Sequence, residues 1–220
     1  MTGLFITSTG TDIGKTLITA ALIRQRRARG LPVTALKPVI SGLDPHTPGG
    51  SDTDVLMQAL GESGKAAFDR ISPLQFRAPL APEMAARREG RTLSPEQVLA
   101  PCRAALADHP FTLIEGVGGA LVPVVGRWLV ADWIKALNLP SLLVTGSYLG
   151  TLSHTLATLE AMHHRGLPVR AIVVSESAGP DHPDLEKTAA TLRGLTDTPV
   201  ITQPRLPDGT GEGAVDLLDI

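Results

Sequence analysis

A short run of small, polar and basic residues near the N-terminus has the composition of a phosphate-binding turn. Gly14–Thr16 follows an apolar stretch, Leu4–Thr7, that is typical of a β-strand, and Lys15 opens an amphipathic pattern typical of a helix. In such a unit, backbone N–H groups and the helix dipole hold phosphate oxygens, the lysine reaches the β- and γ-phosphates, and the following hydroxyl joins the metal shell. The common pattern has its first glycine at position 9, where Thr9 stands, and Gly10 comes one residue later. We therefore predict a P-loop, with a shifted glycine, that binds a nucleoside triphosphate and its metal.

Two acidic segments could supply ligands for that metal. Glu115 ends the apolar run Phe111–Ile114 and precedes a glycine-rich turn. A carboxylate at the carboxyl end of a strand faces the ligand crevice of an open α/β sheet, and Mg²⁺ prefers oxygen ligands. Taken alone, Glu115 could equally cap the glycine turn, but a P-loop in the same chain favours the metal role. Asp52 and Asp54 open a helical pattern, Asp52–Leu60, where either one alone is better explained as a helix cap.

A second lysine stands at the end of the second apolar run. Lys37 follows Val33–Leu36 and precedes Pro38, which would stop the strand. The ammonium would then lie at the carboxyl-end rim of the sheet. It is either a surface lysine at the entry to a loop or a second cation beside the phosphates.

Apolar runs rich in β-branched residues alternate with longer helical patterns along the whole chain. This alternation predicts an α/β fold with a doubly wound, mainly parallel sheet and helices on both faces, formed by residues 1–220 as one domain. The predicted strands are Leu4–Thr7, Val33–Leu36, Thr112–Ile114, Ser141–Thr145, Val169–Val174 and Pro199–Thr202. The predicted helices, besides Asp52–Leu60, are Lys15–Arg29, Ser94–Ala107, Val130–Leu137, Thr151–His164 and Pro183–Leu195. Ser94 and Gln97 form a capping-box pattern, and Pro101 is predicted to kink or split the helix that they start.

The composition excludes several classes of protein. The 220 residues are 43% hydrophobic and 19% charged, as in soluble globular domains. A net charge of −2 without a basic stripe gives no sign of nucleic-acid binding. We find neither a secretion signal nor an apolar run long enough to span a membrane, so we expect a cytoplasmic protein without a membrane partner. The single cysteine, Cys102, lies among Ala and Leu residues and is predicted to be a buried packing residue.

Three motifs taken together resemble those of the dethiobiotin synthetases. They are Thr-Gly-Thr-Asp-Ile-Gly-Lys-Thr at 9–16, Lys-Pro-Val-Ile-Ser-Gly at 37–42 and Glu-Gly-Val-Gly-Gly at 115–119. The Ser-Asp pair at 51–52 and shorter matches at 78–82, 131–133, 149–154 and Pro204 extend the resemblance, in order, over essentially the whole chain. The second and third motifs are far more specific than the P-loop alone.

The resemblance implies an ATP-dependent ring closure. In this family 7,8-diaminononanoate, CO2 and MgATP give dethiobiotin, ADP and phosphate, by way of a carbamate and a carbamic-phosphoric anhydride. Magnesium would be the cofactor and ATP a co-substrate. The enzyme would work as a homodimer in the cytoplasm, on small molecules, without nucleic acid or membrane.

The resemblance also assigns residues by motif position. The implied catalytic cations are Lys15 and Lys37. The implied nucleotide contacts are Asp12, Ile13, Gly14, Lys15, Thr16, Leu17, Glu115, Gly116, Val117, Gly118, Ser175, Glu176, Pro204 and Arg205. The implied substrate contacts are Thr11, Ser41, Gly118, Gly150 and Ser153. The implied magnesium ligands are Thr16, Asp52 and Glu115.

The chain departs from the family pattern at a few positions. Ser8 stands where a glycine is common, and Ser175 where an asparagine often meets the base, which leaves the preference for adenine open. Two other functions remain as alternatives. One is a related P-loop small-molecule ligase or kinase, and the other is a partition-type ATPase switch. A switch of that kind usually has an extra lysine early in the P-loop, where this chain has Gly10.

Overall fold

A six-stranded parallel sheet forms the centre of the computed structural model, which describes residues 2–44, 50–179, 182–206, 211 and 213–218. The strands of the described residues are β1 Gly3–Ser8, β2 Thr34–Leu36, β3 Val39–Ile40, β4 Leu74–Gln75, β5 Thr112–Glu115, β6 Pro123–Val125, β7 Trp128–Leu129, β8 Ser141–Gly146, β9 Val169–Ser175 and β10 Val200–Gln203. The central sheet has the order β10-β9-β8-β1-β5-β2, with every neighbouring pair parallel. Its six strands overlap the six predicted apolar runs. The predicted fold class is confirmed.

Helices connect these strands. They are α1 Lys15–Ala28, α2 Asp52–Leu60, α3 Lys65–Ile71, α4 Pro82–Arg88, α5 Pro95–Asp108, α6 Val130–Leu137, α7 Thr151–His164 and α8 Leu185–Arg193. The sequence predicted all of them except α3 and α4. Each of these two has seven residues, too few for a hydrophobic period to emerge from the surrounding loop composition. The short pairs β3–β4, which is parallel, and β6–β7, which is antiparallel, were missed for the same reason.

The sequence predicted a kink or a split at Pro101, and the split does not occur. Ser94 and Gln97 form the predicted capping box, and α5 then continues through Pro101 as one helix to Asp108. Proline removes a single backbone donor, and the capped N-terminus and the buried side chains Val98 and Cys102 hold the first turns in place. Cys102 is fully buried, as predicted, and burial raises the pKa of its thiol to about 12.

The core forms two layers, one on each face of the sheet. Adjacent residues of β1 show the division: Phe5 packs in one layer, edge-on against Trp133, and Ile6 packs in the other, together with Ile18 of α1. Successive side chains of a strand point to opposite faces, so a strand covered on both sides is mostly apolar on both of them. This requirement explains why the sequence shows continuous apolar runs rather than an alternating pattern.

The order of the strands fixes the location of the ligand crevice. From β1 the chain proceeds to β2 and β5 on one side, and it later returns to β8, β9 and β10 on the other. In open α/β sheets a crevice forms at such a reversal, outside the carboxyl ends of the strands. The loops after β1, β2, β5 and β9 all meet there. Residues 45–49, between β3 and α2, lie outside the described residues.

No helix within the described residues is long and apolar enough to cross a membrane.

Candidate active site

The turn after β1 has the backbone of a phosphate-binding loop. Gly14 adopts φ 99° at the N-cap of α1, and Asp12 is also left-handed, with φ 57°. Position 9 has no such requirement, and the Thr9 hydroxyl lies 3.1 Å from that of Thr145 in β8. The turn therefore needs glycine at position 14 and not at position 9. This explains why the shifted glycine of the sequence is compatible with a P-loop.

Gly14→Ala tests this backbone requirement. A Cβ at position 14 would sit 2.7 Å from Ser175 Oγ, and the residue would be strained at its positive φ. We expect nucleotide affinity to fall at least about ten-fold, because the left-handed conformation alone costs an alanine about 1–2 kcal/mol. Isothermal titration calorimetry with ATP measures the effect. Gly10→Ala is the matched control, since its nearest neighbour is Ile13 Cδ1 at 4.0 Å, and it should stay within about three-fold of wild type. Equal losses in the two variants would contradict this account of the turn.

Lys15 lies folded against the turn that it follows. Its side chain is buried, and Nζ donates to Ser8 Oγ at 3.1 Å and to the Gly10 carbonyl at 3.2 Å. Ser8 Oγ also lies 2.6 Å from the Gly10 carbonyl and 2.8 Å from that of Gly118, so this hydroxyl links the P-loop to the loop after β5. Burial lowers the pKa of Lys15, and the negative charge of Glu115 offsets part of that effect. The ammonium is held at the edge of the cradle where phosphate oxygens would lie.

Lys37 joins the two predicted carboxylates. Nζ lies 2.6 Å from Glu115 Oε1 and 2.5 Å from Asp52 Oδ2, and the lysine is only 4% exposed. Burial by itself would lower the pKa of Lys37, but the adjacent carboxylates of Glu115 and Asp52 raise it overall. Burial likewise would raise the pKa of Asp52, and the Lys37 ammonium lowers it overall. Both groups are therefore charged at neutral pH, and the alternative that Lys37 is a surface lysine is excluded by its burial.

Thr16, the first residue after the P-loop lysine, reaches the same pair of acids. Its hydroxyl donates to Glu115 Oε1 at 2.8 Å, and its proximity to the Asp52 carboxylate contributes to the lowered pKa of Asp52. Asp54 has a different position: it forms a capping box with Ser51, the N-cap of α2. The cap role that the sequence suggested thus belongs to Asp54, and Asp52 is in the site.

These residues fit a magnesium ion. Glu115 is fully buried, and among the described residues its Oε2 finds no hydrogen-bond partner, which is costly unless a cation or water satisfies it. No group of three His, Cys, Asp or Glu side chains suited to a metal occurs within the described part of the chain. Two carboxylates and a hydroxyl are nevertheless the kind of incomplete oxygen set that magnesium uses when phosphates and water complete its shell. The residues that would hold it are Thr16, Asp52 and Glu115.

Two cavities meet at the P-loop. One, of about 270 Å³, is lined by Thr11, Asp12, Ile13, Gly14, Lys15, Thr16, Lys37, Ser41, Asp52, Val117 and Gly118. The other, of about 330 Å³, is lined by Asp12, Ile13, Gly14, Leu17, Ser175, Glu176, Ser177, Ala178, Arg205 and Leu206. The first has the lysines and carboxylates suited to phosphates and a second substrate. The second, on the other side of the same turn, has the position of a pocket for a nucleoside.

The structure brings most of the predicted site residues together, but not all. Glu115 lines neither cavity, but its Oε1 accepts hydrogen bonds from Lys37 and Thr16, which line the first. Gly116 lies against the Phe5 ring and lines neither cavity. Pro204 directly precedes Arg205, which lines the second cavity. Gly150 and Ser153 lie at the start of α7 and line neither cavity.

Sequence reasoning missed three residues of the second cavity. Ser177 and Ala178 follow β9, and Leu206 follows β10. They lie in irregular segments without periodicity, so only the proximity of the carboxyl ends of β9 and β10 brings them to the site. Knowing that these strands are parallel neighbours is the signal that could have found them. Glu176 connects the two segments, because its Oε2 accepts the backbone N–H of Arg205 at 2.8 Å.

Comparisons with known proteins agree with this geometry. A family model described as an AAA domain matches residues 2–211. The ATP-dependent dethiobiotin synthetase BioD of Caulobacter vibrioides is 46% identical over 221 residues, covering 99% of each chain. Two solved structures share the fold at low identity. A ParA family ATPase from Chlorobium tepidum has a TM-score of 0.55 at 16% identity, covering 95% of this chain and 87% of its own.

The other is the septum site-determining protein MinD of Pyrococcus horikoshii, solved with Mg-ADP. It has a TM-score of 0.56 at 17% identity and covers 96% of this chain and 86% of its own. These two likenesses support the fold alone, whereas the relative from Caulobacter matches over nearly the full length. With the three motifs assembled around one crevice and that level of identity, the chain belongs to the dethiobiotin synthetase family.

Proposed function

We propose that this protein closes the ureido ring of dethiobiotin from 7,8-diaminononanoate and CO2, at the expense of ATP. The observation that carries the proposal is the cluster of Lys15, Lys37, Asp52 and Glu115 around one cavity beside a P-loop. Membership of the dethiobiotin synthetase family supports the same reaction. A plain kinase would account for the P-loop but would leave the buried Lys37 without a role.

The reaction proceeds in three balanced steps. One amine of the substrate adds to CO2 and loses a proton, which gives a carbamate. A carbamate oxygen then attacks the γ-phosphorus of ATP, and ADP leaves. The second amine attacks the carbonyl carbon of the resulting anhydride and loses a proton, and phosphate leaves as the five-membered ring closes.

Positioned cations account for most of the catalysis. Negative charge accumulates on phosphoryl and carbamate oxygens, and fixed charges in a partly buried site stabilise it more strongly than water does. Lys15, at the edge of the phosphate cradle, supports the γ-phosphate. Lys37, across the same cavity, supports the carbamate, and the Ser41 hydroxyl orients it. Thr11 and the backbone of Gly118 complete that wall.

Magnesium belongs to this proposal as the cofactor. Thr16, Asp52 and Glu115 would hold it, and the ion supplies charge neutralisation at the β- and γ-phosphates. The unpaired Oε2 of Glu115 among the described residues supports this role.

We also infer a cytoplasmic homodimer. Leu149 is 93% exposed beside Gly150 at the start of α7, near the carboxyl-end crevice. Burying such a side chain against a second copy is favourable, at about 25 cal/mol per Å² of apolar surface. Gly150 and Ser153, which line neither cavity, would then contact the carboxylate tail of the diamine where the two copies meet. The partition-type switch is disfavoured, because Gly10 stands where such proteins usually have a lysine.

A direct assay tests the function. The purified protein should form dethiobiotin from 7,8-diaminononanoate, bicarbonate and MgATP, measured by mass spectrometry, with parallel reactions containing GTP and CTP. We expect the rates with the three triphosphates to lie within about ten-fold of one another. Strong discrimination between bases needs hydrogen bonds to the edge of the base, and the short side chain of Ser175 is buried next to Gly14. If the folded protein makes no dethiobiotin with any of the three triphosphates, the proposed function is contradicted. A preference for ATP of several hundred-fold would contradict only the statement about the base.

A further inference from the structure

The Lys37 ammonium lies where the three side chains assigned to magnesium converge. Its distances to one oxygen each of Glu115 and Asp52 are 2.6 and 2.5 Å, and the Thr16 hydroxyl donates to the same oxygen of Glu115. A lysine that served only to contact substrate would need no such attachment. Here its charge neutralises the acids of the site.

Burial makes this neutralisation necessary. Glu115 has no exposed surface, and Lys37 is 4% exposed. The Asp52 side chain is 47% exposed, but Glu115 has no contact with water, so without a cation between them the two carboxylates would repel each other. The second lysine does not fill this role, because Lys15 Nζ donates to Ser8 and to the Gly10 carbonyl instead. Among the residues that the structure describes, the ion pairs of both acids are made with Lys37.

We propose that Lys37 is the resident counter-ion of the magnesium site, which holds Asp52 and Glu115 together in the free enzyme and yields them to the metal when the nucleotide binds. This inference rests on the proposed function, since it takes the magnesium site from there. The ammonium and a divalent cation compete for the same oxygens. A metal that arrives with a triphosphate also brings phosphate oxygens, which provide a new partner for the displaced ammonium.

Two consequences follow from the competition. The free enzyme binds divalent cations weakly, and metal and nucleotide bind together. Displacement also turns Lys37 Nζ from the acids toward the cavity that it lines with Lys15 and Ser41. The cation is thereby released for the reaction only when the metal and the phosphates are in place.

The test is the affinity for Mn²⁺ alone, in the absence of nucleotide. Mn²⁺ has the ligand preferences of magnesium and is followed by the paramagnetic resonance signal of the free ion. A positive charge within about 4–6 Å lowers the proton affinity of a carboxylate by about 10- to 1000-fold, and it opposes a metal cation at the same oxygens in the same sense. We therefore expect Lys37→Met to bind Mn²⁺ at least about ten-fold more tightly than wild type. Lys37→Arg, which retains the charge, should remain close to wild type.

Lys15→Met is the matched control, because it removes a buried positive charge from the same cavity but leaves the ion pairs of Lys37 with Asp52 and Glu115 intact. It should gain less than about three-fold in Mn²⁺ affinity, through longer-range electrostatics alone. An equal gain in Lys15→Met and Lys37→Met, or no gain in Lys37→Met, overturns the counter-ion role. If Lys37→Met is poorly folded, Lys37→Gln, whose amide still donates to a carboxylate, replaces it. Its melting temperature should then rise more with Mn²⁺ than that of wild type, and an equal rise also overturns the role.

The assay for dethiobiotin separates the two proposals. If the wild-type protein forms dethiobiotin but Lys37→Met binds Mn²⁺ no more tightly than wild type, only the counter-ion role is overturned. Absence of turnover in the wild type overturns the proposed function.

Discussion

Lys37→Ala should bind MgATP and fail to turn it over. The substitution removes a cation that lies at the wall of the proposed reaction cavity, while the P-loop, Lys15 and the nucleoside pocket stay intact. We expect kcat to fall about 10²- to 10³-fold, the loss typical of removing one group that stabilises transition-state charge. The affinity for MgATP should change much less than kcat, because the loss of the ammonium as a partner of the phosphates opposes the gain in affinity for the metal. Calorimetry gives the affinity, and the rate of dethiobiotin formation gives kcat.

Lys65→Ala serves as the control for this experiment. Lys65→Ala removes an exposed lysine that pairs with Asp69 on α3, and its turnover should equal that of wild type. Turnover of Lys37→Ala at the wild-type rate would remove Lys37 from the mechanism. A loss of MgATP binding as large as the loss of kcat would show that Lys37 acts in nucleotide binding instead.

The fold could be predicted because each part of the sheet has a local signature in the sequence. Each strand of the central sheet contains an apolar run, and the longer helices have a hydrophobic period, a cap or both. Where the signature was short, as in α3 and α4, prediction failed. At Pro101 a local rule predicted a break, but the capping box and the buried face of α5 outweighed one lost hydrogen bond.

The site could be predicted only in part, for a physical reason. Lys37 and Glu115 are 78 positions apart, and nothing local in either segment shows that their side chains touch. The resemblance to a family assigned both residues to one site, and the structure shows that they form an ion pair there. The resemblance had also assigned Asp52 to the metal, and the structure adds that Asp54 is the capping residue of α2. In the irregular segments after β9 and β10, no local pattern pointed to Ser177, Ala178 or Leu206, because only the pairing of these two strands brings them to the site.

Glu115→Gln should affect both stability and chemistry. The substitution keeps the shape of a fully buried side chain but removes the charge that faces Lys37. Breaking one side of a buried ion pair costs about 3–5 kcal/mol, and the remaining partner, Asp52, should reduce that to about 2–3 kcal/mol in the free energy of unfolding. Turnover should fall at least about 10²-fold, because a proposed magnesium ligand and the alignment of Lys37 are lost together. Urea denaturation and the product assay measure the two effects.

The double variant Lys37→Met, Glu115→Gln separates these two causes. Removing both charges leaves neither a buried carboxylate nor a buried ammonium without its partner. The double variant should therefore recover about half or more of the free energy of unfolding that Glu115→Gln loses, while turnover stays absent. Glu62→Gln, in an exposed pair with Arg70, is the matched control for a lost surface ion pair and should cost less than about 1 kcal/mol. If the double variant were less stable than Glu115→Gln, the ammonium would not be the group that Glu115 neutralises. The stabilising role of this acid would then reside in its bond to Thr16.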